Sequence, residues 1–174
     1  DSTELQYGLD LARMTLKATT AEHDLLRDKY DRASHLNRAL ARVETALTGS
    51  VFVVCASQVG DDLAQWRGYA GGAGYAIGLL PEPLAPESQV DVRWGEHMVE
   101  PRWRHVVYEP ALQHQMLMDA WLTALNWTEP QDRVPEDGPF DWEGWYRMVL
   151  QGLVAIVTAL KHPGFESERE VRFV

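Results

Sequence analysis

The chain predicts an α+β domain, a mixed or antiparallel sheet of about five strands with helices packed against it. Three observations carry this expectation. Two long early segments repeat apolar residues at helical spacing, short β-branched runs fill the middle, and a strongly apolar helical segment leads into a final alternating strand. The 174 residues read as one domain, 1–174, with enough chain to bury a single core. The chain opens on Asp1 rather than Met, so further residues are expected upstream.

The first helix begins at "DSTEL", where Asp1 can cap and Glu4 sits three residues on as in a capping box. Leu5, Leu9, Ala12 and Leu16 then line one face. A second face runs through Leu26, Tyr30, Ala33, Leu36, Leu40, Val43 and Leu47 and stops at Gly49. "VFVVCAS" (Val51 to Ser57) suits a buried strand, and Asp61 or Asp62 can cap a short helix through Tyr69. Further strands are expected in "GYAIGLL", in "QVDVRW" (Gln89 to Trp94) and in "RWRHVVYE" (Arg102 to Glu109). Pro110 to Asn126 suits a helix with Leu112, Met116, Ala120, Thr123 and Trp127 on one stripe. After the loop "TEPQDRVPEDGPF", Asp141 to Lys161 returns to helix. Its second half is apolar nearly all round and should be deeply buried, which makes the closing "EREVRFV" a central strand.

Composition narrows the function classes. A formal charge of −10 argues against nucleic acid and anionic membrane surfaces as partners. The longest apolar run, Met148 to Leu160, is too short to span a bilayer. Cys55 is the only cysteine, which excludes an internal disulfide and fits a cytoplasmic location. It reads as a small buried residue. The six histidines show no metal-ligand spacing, so no metal is expected. Arg102 and Arg104 would share a solvated strand face.

Two stretches invite a ligand. In "QWRGYAGGAGYAIGLL" the order helix, glycines, strand reverses what a phosphate cradle needs, so Gly71 and Gly72 read as a turn. Trp66 and Tyr69 fall on one helix face with Arg67 rotated away. They could stack on a planar ligand with a guanidinium nearby, or simply pack in the core. In "FESEREVRFV" a strand period puts Glu166, Glu168, Glu170 and Arg172 on one face, opposite Arg169, Val171 and Phe173. Paired carboxylates beside a cation can do acid–base or electrostatic work. They can equally be a solvated face of weak ion pairs.

Three blocks taken together, "DSTEL", "CASQVGDDLAQWRGYAGGAGYAIGL" and "KHPGFESEREVRFV", resemble the bacterial family known as domain of unknown function 2971. Cys55, Ser57, Asp62, Trp66, Tyr69, Lys161, Glu168, Glu170 and Arg172 match its pattern. Ala56 and Gln58 depart from its usual aromatic and acid, and its first strand precedes the part matched here. The family's layout is in turn similar to ADP-ribosyltransferase-like domains. That similarity implies NAD as donor, with Glu168 and Glu170 as the catalytic carboxylates stabilising an oxocarbenium-like ribose. It implies ligand contacts from Trp66, Arg67, Tyr69, Ser57 and Arg172, the aromatics stacking on nicotinamide or adenine and Arg67 or Arg172 facing phosphate. The competing expectations are a non-catalytic ligand-sensing module and a partner-binding domain whose glutamates only pair with cations.

Overall fold

The computed structural model describes residues 2–22, 31–49, 53–61, 75–78, 103–126 and 140–173. Among the described residues, four helices make the larger part: α1 (Ser2–Glu22), α2 (Arg32–Gly49), α3 (Pro110–Asn126) and α4 (Trp142–Val157). Three short strands, β1 (Val54–Ser57), β2 (Trp103–His105) and β3 (Glu170–Phe173), form an antiparallel sheet in the order β1-β3-β2. The last strand is therefore the central one, as its apolar lead-in helix predicts. Of the other expected strands, Gln89 to Trp94 lies outside the described residues. Residues 75–78 belong to no strand, with Tyr75 and Ile77 exposed.

The core faces expected for α1 and α2 hold where the residues are described, except that Leu5 is only partly buried. Leu9, Ala12 and Leu16 on α1 and Leu36, Leu40, Val43 and Leu47 on α2 are all buried. They meet Leu117, Trp121, Trp145, Val149, Leu153 and Ile156 in one core. The α3 stripe is corrected: the helix runs from Pro110 to Asn126 as expected, but Gln113, Leu117, Ala120, Trp121, Ala124 and Leu125 are the buried residues. The rotation has a polar cause. Gln113 Nε2 donates to the Val107 and Lys161 carbonyls at 2.6 and 2.7 Å. Trp121 Nε1 donates to Thr15 Oγ1 at 3.0 Å. Inward-facing polar groups are tolerated when they are bonded in this way.

Helix α4 begins where Asp141 accepts the Gly144 N–H at 2.9 Å. It ends at Val157 rather than Lys161. The chain then turns, and Leu160 bridges Val107. Helix α1 crosses this end of α4 closely: a Cβ on Gly8 would stand 2.8 Å from the Val157 carbonyl oxygen. Only a residue without a side chain fits there, and the approach delivers the preceding turn of α1, with Glu4, onto the segment following α4.

Two sheet expectations are overturned. Arg104 is only 4% exposed, in register opposite the buried Arg172, rather than on a solvated face. Cys55 is exposed rather than buried, on β1 at the sheet edge opposite Arg172.

Candidate functional site

Glu168 does not lie on the terminal strand. Pro163, placed for the start of a helix, opens a 3₁₀ helix over Pro163–Glu168, with the His162 side chain accepting the Gly164 N–H. Arg169 then takes a left-handed conformation (φ 43°) and redirects the chain into β3 at Glu170. The expected row of four same-face residues is thereby cut to two. Glu170 and Arg172 share a face, while Glu166 is exposed on the 3₁₀ helix.

The turn nevertheless brings Glu168 and Glu170 together around a buried ammonium. Lys161 Nζ lies 2.6 Å from Glu168 Oε2, 2.7 Å from Glu170 Oε2 and 2.8 Å from Glu4 Oε1. Three carboxylates take the three donors an ammonium has. Arg172 completes the network. Its Nε donates to Glu170 Oε1 at 2.7 Å, one Nη to the Thr158 carbonyl at 2.8 Å and the other to Glu4 Oε2 at 2.5 Å. Both cations sit just past the C-terminus of α4, where the helix dipole favours positive charge.

Burial of these charges is tolerable only because they are paired. Burial alone would raise the Glu170 carboxyl; hydrogen bonds from Arg172, Cys55 and Lys161 outweigh it and hold the group at about 2. Burial would likewise lower the Lys161 ammonium, yet Glu168, Glu170 and Glu4 drive it above its usual value. The Cys55 thiol is pushed up to about 11, by partial desolvation first and then by its bond to Glu170. It is no thiolate nucleophile at neutral pH. Two cations against three carboxylates leave the cluster one net negative charge.

The cluster reaches solvent at two carboxylates, Glu4 and Glu168, whose side chains are equally exposed. Glu170 is buried, with both oxygens taken by Lys161 and Arg172. Glu4 also uses both oxygens. Glu168, whose side chain is 20% exposed, gives Oε2 to Lys161 and leaves Oε1 without a hydrogen-bond partner among the described residues.

Of the expected ligand-binding residues, Ser57 and Arg172 are among the described residues and the rest are not. Ser57 Oγ donates to the Glu168 carbonyl at 2.9 Å and accepts the Val59 N–H at 3.1 Å, which pins the turn beside β1. Arg172, offered with Arg67 as an alternative for facing phosphate, donates to Glu170, Thr158 and Glu4. Trp66, Arg67 and Tyr69, with the glycine turn at Gly71 and Gly72, lie outside the described residues. The sequence reading missed Glu4, taken there only for a cap, and the supporting residues Gln113, Tyr7 and Tyr108. Tyr7 Oη donates to Gln113 Oε1 at 2.7 Å, and the Glu170 N–H donates to Tyr108 Oη at 3.0 Å. One signal was available: a lysine directly after so apolar a helix needs carboxylate partners if it is buried.

No group of His, Cys, Asp and Glu among the described residues is placed to hold a metal ion, and no described helix is long and apolar enough to cross a membrane. Neither a curated protein nor a solved structure matches the chain significantly. The family model described as Protein of unknown function (DUF2971) matches residues 65–173, which contain Lys161, Glu168, Glu170 and Arg172, while α1 with Glu4 lies outside it. The match covers more than half of the 174 residues, and the chain belongs to that family.

Proposed function

We propose that this domain binds a nucleotide ligand at the Glu168 edge of the charge cluster, and that its chemistry is ADP-ribosyl transfer from NAD. The observation that carries the reading is the asymmetry of the two glutamates. Glu170 has no oxygen to spare, whereas Glu168 keeps Oε1 at the exposed edge of a site with net negative charge. A carboxylate so placed can accept a hydrogen bond from a ribose hydroxyl. It can also stabilise the positive charge that develops when the ribose–nicotinamide C–N bond breaks and nicotinamide leaves with the bonding pair. The acceptor atom then bonds to the ribose carbon and gives up its proton. In this reading Glu170 and Lys161 hold Glu168 in position, and Glu168 is the catalytic residue.

A second reading, a ligand sensor without turnover, is favoured by the saturation of the cluster. Every donor of Lys161 is taken and Glu170 is held at about 2, so neither is poised to move a proton at neutral pH. Labelled NAD incubated with the full chain separates the two. Release of nicotinamide that falls by about 100-fold in Glu168→Gln, the scale of losing one transition-state electrostatic contact, supports the transferase. Saturable NAD binding with no release supports the sensor. Absence of both removes NAD from consideration.

A further inference from the structure

We propose that Phe165 and Glu168 form a recognition pair for a planar monocation, so that Phe165 determines which ligand ring the site accepts. The inference rests on the reading that Glu168 faces the ligand.

It starts from 3₁₀ geometry. Side chains three residues apart on such a helix eclipse one another, which puts Phe165 and Glu168 on one face of Pro163–Glu168. Both already reach the same cation: Lys161 Nζ is 5.1 Å from the Phe165 ring centroid and 2.6 Å from Glu168 Oε2. The His162 ring approaches Phe165 at 6.3 Å, steeply inclined at 79°. These contacts leave Phe165 45% exposed, a large apolar ring standing at the rim of a charged site.

An aromatic face attracts cations, and a flat cation gains stacking area as well. The carboxylate beside it supplies both charge and an acceptor oxygen that no described residue bonds. The balance of charge within the network points the same way: three carboxylates face the two cations Lys161 and Arg172, which favours a further positive charge at the rim. The pyridinium of a nucleotide and the guanidinium of an arginine side chain share this chemistry.

Two small probes, 1-methylnicotinamide and methylguanidinium, represent those sources. Neutral nicotinamide has nearly the shape of the first without its charge. Titrations into the full chain, read by NMR line shifts, are expected to show a charged probe binding more tightly than nicotinamide. Phe165→Leu, which keeps apolar cover over Lys161 but removes the ring, should weaken that binding by about threefold, and Phe165→Trp should restore it. Glu168→Gln should weaken it further. Tighter binding of 1-methylnicotinamide assigns the site to a nucleotide ring, and tighter binding of methylguanidinium assigns it to an arginine. Thermal melts of each variant separate lost binding from lost folding.

The proposal is overturned if neither cation binds, if nicotinamide binds as well as its methylated cation, or if folded Phe165→Leu binds like the parent. Ring-dependent cation binding without any NAD binding would leave this pair standing and remove the nucleotide reading. NAD turnover unchanged in Phe165→Leu, with cation binding likewise unchanged, would do the reverse.

Discussion

Glu170→Gln changes almost no volume and removes one charge from the centre of the network. In the parent this carboxyl, ordinarily titrating at 4.5, is held at about 2 despite its burial, by Arg172, Cys55 and Lys161. A shift of that size is worth about 3 kcal/mol of folding stability at neutral pH. The group's folded value is depressed, so the contribution is complete above pH 4.5 and is lost as the pH falls towards 2. The substitution should therefore cost about 3 kcal/mol at pH 7, within the range for breaking a buried ion pair on one side. At pH 3 the gap between parent and variant should shrink to less than about half of that. Urea unfolding at the two pH values measures it, with the fully buried Trp121 and Trp145 as fluorescent reporters. A gap below about 1 kcal/mol at pH 7, or one that stays constant on acidification, would refute the linkage argument.

Two backbone predictions accompany it. Gly8→Ala ought to stabilise a helix interior by about 1 kcal/mol, but here the new methyl meets the Val157 carbonyl oxygen at 2.8 Å. A net loss of about 1–3 kcal/mol is expected in thermal denaturation, and a higher melting temperature would show that α1 and α4 are less tightly apposed than described. Arg169→Gly relieves a side chain held at φ 43° and should raise stability by about 1 kcal/mol, read as a higher urea midpoint with unchanged slope. A lower midpoint would mean that the arginine side chain contributes more than its backbone costs.

What was legible in the sequence is what local chemistry controls. The α3 boundaries, the α1 and α2 core faces and the central place of β3 follow from apolar spacing and from the greasy segment before the strand. The face of α3 was misjudged because Gln113 is buried for the hydrogen bonds it makes to carbonyls at Val107 and Lys161, which no hydrophobic count registers. Glu168 was placed on a strand because alternation continues through Arg169 in the sequence, whereas the left-handed residue interrupts it in space. Glu4 was invisible as a site residue, since its partners Lys161 and Arg172 are far away along the chain and only the Gly8 crossing unites them.

The strand order carries a consequence for assembly. β1 and β2 do not pair with each other; each waits for β3, the latest of the described strands to leave the ribosome. Glu4 and Arg172 are separated by 168 positions, so closing their contact is a long-loop event. The helices can nucleate early from nearby contacts, but the sheet and its charges must zip together last, and that docking is expected to limit the refolding rate.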